Sequence, residues 1–155
     1  MEVRLARPED AEAVAEVFIA SFETLTFLPM LHSHGEHRAF VRGLVEKDEV
    51  WVAEDAGRIV GMAVLWDDVL SHIYVHPDAQ GRGAGSALLQ QAKTRRPGGF
   101  TLWVFQQNVE ARRFYERHGL HAVRFTDGGG NEEKTPDALY EWSPEEPPSE
   151  RQEDE

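Results

Sequence analysis

The fold is decided by residues 69–89, which read VLSHIYVHPDAQGRGAGSALL. Residues 69–75 are mostly apolar and predict a β-strand, and residues 86–89 begin a helix. Between them, glycines at alternate positions from 81 to 85 let the backbone approach a ligand closely and adopt conformations that other residues resist. Main-chain N–H groups would then converge in front of the helix dipole, which suits a phosphate or pyrophosphate.

Three other interpretations of this glycine-rich turn are less well supported. A Walker A loop ends in Gly-Lys-Ser/Thr, whereas Gly85 is followed directly by Ser86. A dinucleotide-binding fingerprint would place glycine at position 86 and an acid about 20 residues later, where Phe105 and Gln106 stand. That fingerprint normally follows the first strand of its sheet, and several predicted strands precede this turn. A tight strand-to-helix turn without a ligand is the structural alternative.

Further strands and helices are predicted on both sides of this segment. Before it, the pattern indicates a strand ending at Arg4-Leu5, a helix from Pro8, a second helix through Phe40 to Val45, and strands over Val50 to Glu54 and Ile59 to Trp66. After it come a strand over Phe100 to Phe105, a helix capped by Asn108 and ended by Gly119, and strands over His121 to Thr126 and Ala138 to Trp142. Strand, crossover helix and strand imply a parallel pair. We expect one α/β (α+β) domain over residues 1–144 and an acidic, disordered tail over residues 145–155.

Charge restricts the partners that are compatible with the chain. Its 155 residues carry a net charge of −12, and six acids with one arginine fall in the tail, which leaves about −7 on the body. This balance argues against binding to nucleic acid or to an anionic membrane, both of which need a basic face. It fits a cationic substrate, and it equally fits an acidic surface that only provides solubility.

The absence of cysteine excludes a disulfide, a thiolate nucleophile and a cysteine-ligated metal. No apolar run approaches the roughly 20 residues of a membrane span, and the first residues do not form a signal-peptide pattern. A cytoplasmic protein is therefore expected.

Two motifs resemble the GNAT superfamily of acetyl-CoA-dependent N-acetyltransferases. The first is Ile73 to Pro77 followed by Gln80-x-x-Gly83-x-Gly85, and the second is Asn108-x-x-Ala111-x-x-Phe114-Tyr115-x-x-x-Gly119-Leu120. They stand in the family's order, and the resemblance extends over Val3 to Trp142. It implies a mixed, mostly antiparallel sheet with helices on both faces, in which two neighbouring parallel strands splay apart.

The resemblance also implies where acetyl-CoA binds. The open edge of the strand over residues 69–75 would take the pantetheine arm as a substitute strand, and the N–H groups of the glycine-rich turn would take the pyrophosphate. No metal is implied. The implied cofactor-binding residues are Ile73, Tyr74, Val75, Gln80, Gly81, Arg82, Gly83, Ala84, Gly85, Ser86, Asn108, Ala111 and Tyr115.

The reaction that the resemblance implies is direct attack of a primary amine on the thioester in a ternary complex, since no cysteine can carry the acetyl group. Tyr115 matches the position of the family's general acid. This role is chemically reasonable, since a phenol of pKa about 10 is protonated at pH 7 and can donate to a thiolate whose thiol has a pKa of about 8.5. A main-chain N–H near Val75 is the expected oxyanion donor.

The general base is left open between Asp68 and His72, with Glu54 further away. Simple alternation along the strand places Ser71 with Ile73 and Val75 on one face and His72 with Tyr74 on the other, an arrangement in which His72 can face away from the acceptor.

Two further clusters are open to interpretation. His32, His34 and His37 span a loop and a helix start without a matching carboxylate, so a polar wall of the acceptor pocket or plain surface is expected rather than a metal site. Residues 128–134, GGGNEEK, predict either a mobile flap at the substrate entrance or a simple exposed hairpin loop.

Two other classes of function are compatible with the sequence. A non-catalytic CoA- or acyl-CoA-binding regulatory module would keep the glycine-rich turn, and an interaction protein would act through residues 145–155. The acceptor is not identified by the sequence: a protein N-terminus, a lysine, a polyamine, an amino acid and an aminoglycoside all fit. A possible homodimer is compatible with the resemblance.

Overall fold

Seven strands and four helices are present in the computed structural model, which describes residues 1–144. The strands are β1 (Glu2–Leu5), β2 (Glu49–Asp55), β3 (Arg58–Trp66), β4 (Val69–Val75), β5 (Phe100–Phe105), β6 (His121–Thr126) and β7 (Asp137–Trp142). The helices are α1 (Ala11–Phe22), α2 (His34–Lys47), α3 (Ala84–Arg95) and α4 (Val109–Arg117), with 3₁₀ turns at Pro8–Asp10 and Pro77–Ala79. The predicted disordered tail, residues 145–155, lies outside the described residues. Within residues 1–144 no helix is both long and apolar enough to cross a membrane.

The strands form one sheet in the order β1-β2-β3-β4-β5-β7-β6. Every neighbouring pair is antiparallel except β4 and β5, which are parallel and are connected through α3. One buried cluster packs the sheet against α3 and α4, and a second packs it against α1 and α2. The predicted mixed sheet with helices on both faces is therefore confirmed.

Strands β4 and β5 separate almost as soon as they meet. Their register contains a single pair, Val69 with Thr101, next to a hydrogen bond of 3.0 Å from Thr101 N to Asp68 O. We call the opening beyond this pair the wedge. His76 N donates to Val60 O on the β3 side at 2.8 Å. Because successive residues of a strand direct their main-chain groups to opposite sides, Val75 points its N–H into the wedge.

A β-bulge at Ser71 accompanies this separation. On β3, Leu65 pairs with Leu70 and Val64 pairs with His72, so Ser71 has no partner opposite and its hydroxyl donates to Val64 O at 3.2 Å. A bulge bends its strand and shifts the alternation of side chains.

The bulge corrects the alternation that was expected from the sequence. Leu70, Ile73 and Val75 all pack on the α3 side of the sheet. Ser71 does not share that face, and it lines a cavity on the opposite side together with His72 and Tyr74. The expectation that Ser71 lies with Ile73 and Val75 is therefore wrong.

Helices α1 and α2 cover only part of their face of the sheet. Their buried residues pack against β2, β3 and β4, as the cluster of Val14, Val17, Val41, Met62 and Val64 shows. On the same face Trp103 of β5 is 47 % exposed. Helices α1 and α2 therefore leave the face of β5 to β7 uncovered, and a cavity lies between these helices and that face of the sheet, next to the wedge.

A substitution of Leu88 tests the packing of α3, the helix that follows the glycine-rich turn, against the sheet. Its side chain is 0 % exposed within the cluster between sheet and helix. We expect Leu88→Ala to lower the free energy of unfolding by about 2–5 kcal/mol, because the deletion leaves a cavity in a packed core. Urea denaturation measures the change. The exposed Gln90→Ala on the same helix is the control, and an equal loss in both variants would contradict the assigned packing.

Candidate functional site

The turn before α3 presents main-chain donors without a capping side chain. Gly83 is the N-cap residue with φ of 93°, and no side chain caps the helix. The N–H of Ala87 donates to Gly83 O at 3.0 Å and forms the first bond of the helix. The N–H groups of Ala84, Gly85 and Ser86 therefore have no partner within the helix. Such a terminus binds anions, and the residues present fit the diphosphate of CoA.

Gly85 brings this turn close to the wedge. A Cβ atom at position 85 would lie 3.1 Å from Phe114 Cζ of α4 and 3.7 Å from Val75 Cγ2 of β4. At Gly81 and Gly83 a Cβ would meet open space, and the positive φ values of 82° and 93° are what favour glycine there. The three glycines thus serve two different purposes, backbone conformation at 81 and 83 and close packing at 85.

Side chains around the turn differ in how free they are to contact a ligand. Arg82 is 64 % exposed, and its nearest carboxylate oxygen, on Asp55, is 3.8 Å away. Ser86 instead hydrogen-bonds His118 Nε2 at 2.9 Å, while His118 Nδ1 donates to Phe114 O at 2.9 Å. Arg82 is therefore available to an anion as a side chain, whereas the hydroxyl of Ser86 is engaged.

Val75 ends β4 at the mouth of the wedge. Its carbonyl oxygen accepts hydrogen bonds from Ser21 Oγ at 2.7 Å and from Gln80 Nε2 at 3.4 Å. These bonds, together with the one from His76 N to Val60 O, fix the peptide between Val75 and His76, next to the N–H of Val75 that points into the wedge. Ser21, which is 5 % exposed, was not identified from the sequence, where a serine near Phe18 and Phe22 gives no signal of this contact.

Helix α4 carries the predicted acid, Tyr115, which packs in the core on the α3 side of the sheet. Asn108 Oδ1 accepts from Ala111 N at 3.3 Å and so begins the helix, as predicted. Tyr115 is 7 % exposed, with its ring 6.2 Å from that of Tyr140. Within residues 1–144 its hydroxyl makes no hydrogen bond, so it has no partner inside the described fold. Burial raises the pKa of Tyr115, and nearby Tyr74 adds to the rise. The phenol stays protonated.

A cavity of about 810 Å³ lies on the other side of β4, between α1, α2 and the bare face of β5 to β7. We call it the aromatic cavity. The aromatic side chains that line it are Phe18, Phe22, Phe40, Tyr74, Trp103 and Phe105, and its charged side chains are Glu36, Arg124, Glu132, Glu133 and Asp137. The glycine-rich turn and this cavity therefore lie on opposite sides of β4, and Tyr74, one of the residues predicted to bind CoA, lines the cavity.

His72 faces the aromatic cavity rather than away from it. Its ring centroid lies 5.6 Å from that of Phe40, 5.8 Å from that of Phe18 and 6.2 Å from that of Tyr74. Burial lowers the pKa of His72 to about 4, so the imidazole is neutral at pH 7. Alternation places His72 with Tyr74 on the face opposite Ile73 and Val75, and in the structure both residues line the cavity on that face.

The other two carboxylate candidates lie outside the cavity lining. Asp68 is exposed in the turn between β3 and β4, at the closed end of the wedge. Glu54 accepts a hydrogen bond from Arg4 Nε at 3.1 Å. The structure therefore brings only His72, among the three residues considered for the base, to the cavity.

The three histidines near α2 separate into different surroundings. His32 and His37 line the aromatic cavity, whereas His34 contacts Glu23 at 2.5 Å outside it. His32 Nε2 is 2.7 Å from Glu132 Oε2, and this contact raises the pKa of His32. Across residues 1–144 no three histidines or acids gather as a metal-binding group.

Residues 127–136 form the loop between β6 and β7 and cover one side of the cavity. The contact from Glu132 to His32 spans the cavity mouth, and Asn131 Nδ2 donates to Thr135 O at 2.7 Å inside the loop. A Cβ at Gly128, where φ is 86°, would lie 2.3 Å from Thr135 O, so the loop is tightly turned. The loop therefore lines the cavity, and its two interpretations, a mobile flap at the substrate entrance and a simple exposed hairpin loop, stay predictions.

Comparison with known proteins gives a consistent result. The acetyltransferase (GNAT) domain family matches residues 46–120. A 5-NmdU N-acetyltransferase of Pseudomonas phage PaMx11 is 32% identical over 134 residues, which cover 82% of this chain and 91% of that protein. The peptidyl-lysine N-acetyltransferase YjaB of Salmonella typhimurium is 29% identical over 122 residues, 77% of this chain and 83% of YjaB. The structure of yncA from Salmonella typhimurium, solved with its cofactor acetyl-CoA, superposes with a TM-score of 0.70 over 95% of each chain at 20% identity.

The pKa of His72 predicts how stability depends on pH. Between about pH 6.5 and pH 4 the unfolded chain protonates this imidazole while the folded chain keeps it neutral, so the unfolded state binds more protons. Stability should therefore fall as the pH falls, with up to about 3 kcal/mol of the loss due to His72. In His72→Phe that part of the loss should disappear. Urea denaturation at a series of pH values measures it.

A control separates this effect from general acid unfolding. His121 is exposed on β6, and His121→Gln should retain the pH dependence of the wild-type chain. Identical pH profiles for His72→Phe and the wild-type chain would show that His72 is not held neutral.

Proposed function

Because the chain belongs to the GNAT family of acetyl-CoA-dependent N-acetyltransferases, we propose that the amine acceptor binds in the aromatic cavity and attacks directly across the wedge in a ternary complex. The observation that carries this proposal is the position of the wedge, which opens on one side to the uncapped turn before α3 and on the other to the cavity. A single open strand edge can then align the two reactants, which lowers the entropic part of the barrier.

Binding of the cosubstrate is proposed to use main-chain groups above all. The N–H groups of residues 81–86 hold the diphosphate with Arg82 beside them, and the edge of Ile73 to Val75 pairs with the amides of the pantetheine arm. Asn108 and Ala111 flank the arm from α4. Acetyl-CoA supplies the activated acetyl thioester at the end of this arm.

Three groups are proposed to act on the reacting atoms. The N–H of Val75 donates to the carbonyl oxygen of the thioester as that oxygen gains negative charge, and Ser21 holds the adjacent carbonyl of Val75. Tyr115 delivers its proton to the departing thiolate. His72 accepts a hydrogen bond from the incoming amine through its neutral imidazole. A pKa of about 4 makes His72 an orienting acceptor rather than a strong base, and Asp68 lies in the turn before β4, outside the cavity lining.

A substitution of Gly83 tests whether the turn before α3 binds CoA. Valine is strongly disfavoured at a φ of 93°, so Gly83→Val should shift the N-cap and turn the N–H groups away from the diphosphate. We expect CoA to bind at least about 10-fold more weakly in calorimetry. Gly57→Val is the matched control, because Gly57 also has a positive φ, 80°, and open space around it, but lies in the β2–β3 turn. Equal CoA affinities for Gly83→Val and the control would contradict this assignment.

A substitution of Tyr115 tests its proposed role as the general acid. Tyr115→Phe keeps the buried ring and removes only the proton donor, so kcat should fall by about 100-fold while the affinity for CoA is retained. Tyr140→Phe is the control, since its hydroxyl bonds Glu116 at 2.7 Å and Arg112 at 3.0 Å in the same core and is expected to affect stability alone. Acceptor-dependent release of thiol from acetyl-CoA measures both variants. Full turnover by Tyr115→Phe would remove its assignment as the acid.

A further inference from the structure

The aromatic cavity is lined by more negative than positive side chains. Four carboxylates line it, from Glu36, Glu132, Glu133 and Asp137, against a single guanidinium, that of Arg124, among the described residues. Burial lowers the pKa of His72 and of His37. His32, whose pKa is raised by its contact with Glu132, offsets at most one of the four carboxylates. This excess disfavours a ligand that carries a carboxylate and favours one that enters as a cation.

Three of these carboxylates already have partners. Glu36 Oε1 accepts from the N–H of Ser33 at 2.8 Å at the start of α2, and Glu132 contacts His32 at 2.7 Å. Asp137 accepts from Thr126 Oγ1 and, at 3.1 Å, from Asn131 Nδ2. Each of them has a structural task within the fold.

Glu133 differs from them. Its carboxylate makes no ion pair or hydrogen bond within residues 1–144, although the residue is half-buried and lines the cavity. The loop holds its backbone, since Thr135 Oγ1 donates to Glu133 O at 3.0 Å and the adjacent Glu132 is bound to His32. A carboxylate in such a place is available to a ligand.

The carboxylate of Glu133 acts on the strand that forms the wedge. Burial, and after it the charge of Glu133, raise the pKa of Tyr74 to about 12. Glu133 therefore lies within electrostatic reach of Tyr74, two residues from His72 on β4. A cation paired with Glu133 would lie near the proposed point of attack.

The remaining walls favour an apolar body. Six aromatic side chains line the cavity, and Phe18 is the centre of a ring cluster with contacts to Tyr74 and His37 at 5.3 Å. Aromatic faces attract an ammonium group, and they bury the carbon skeleton that carries it.

We propose that Glu133 determines acceptor specificity by pairing with the ammonium group of the incoming acceptor, and that the cavity takes a primary amine on an apolar body without a carboxylate. The inference rests on the proposed function, because it names the substrate class of the same site. Glu133 pairs with the acceptor while the acceptor enters as R–NH3⁺. The ammonium then loses its proton to solvent, and the neutral amine attacks the thioester carbonyl. The effect of Glu133 therefore appears mainly in KM. This chemistry is shared by free arylalkylamines and by lysine side chains.

Matched amines test the inference. Acetyl-CoA thiol release is measured with phenethylamine against phenylalanine, with tyramine against tyrosine, and with Nα-acetyl-lysine amide. For the wild-type chain we expect kcat/KM of each arylalkylamine to exceed that of its amino acid by at least about 10-fold. Glu133→Gln should reduce this preference to about threefold or less by raising KM for the amine, while kcat changes little. A higher kcat/KM for Nα-acetyl-lysine amide than for the arylalkylamines assigns the chemistry to lysine side chains, and the reverse assigns it to free amines.

The control is Glu46→Gln, which removes an exposed carboxylate of α2 outside the cavity lining and should leave every preference unchanged. Equal preferences in Glu133→Gln and the wild-type chain would overturn the inference, as would a preference of the wild-type chain for the amino acids. Absence of acceptor-dependent release with all five compounds, with calorimetric CoA binding intact, also overturns it and leaves the cosubstrate half of the proposed function standing. Loss of CoA binding by the wild-type chain would instead overturn the proposed function itself.

Discussion

The separation of β4 from β5 after one pair is the constraint on which the rest of this structure depends. A strand inside a sheet normally satisfies its main-chain groups on both sides, and leaving them without partners away from water costs free energy. Here Val69 and Thr101 close one end, the bulge at Ser71 bends β4, and the exposed edge is left to a ligand. In the proposed function, the cosubstrate is therefore bound by the backbone rather than by a set of side chains.

The same strand connects two environments with opposite requirements. On the α3 side, uncapped N–H groups favour negative charge, whereas on the α1 and α2 side aromatic rings and carboxylates favour positive charge. Ser21 of helix α1 connects the two environments, because its hydroxyl donates a hydrogen bond to the carbonyl of Val75 at the end of β4. The chain can therefore bind an anion and a cation close together without bringing its own opposite charges into contact.

The sequence was sufficient for the parts that depend on local patterns. Glycines 81, 83 and 85 have local reasons, positive φ or close packing, and Asn108 with Ala111 begins α4 as its spacing predicts. The face of His72 follows from alternation with Tyr74, but the face of Ser71 could not be predicted, because one bulge residue shifts the alternation and no pattern in residues 69–75 signals it. Glu133 and Ser21 were missed for a related reason. Their contacts depend on how distant elements pack, which a single sequence without its fold does not specify.

The single parallel pair between β4 and β5 has a mechanical consequence. The strands on either side of it form two half-sheets that are joined at one point of backbone pairing, while the core between sheet and helices keeps them together. A pantetheine arm bound in the wedge would connect the two half-sheets. Any ligand that binds only the folded chain adds to the stability of that chain by mass action. The resistance of this protein to heat would then rise with the concentration of CoA thioesters, so that removing them would destabilise the fold as well as halt the reaction.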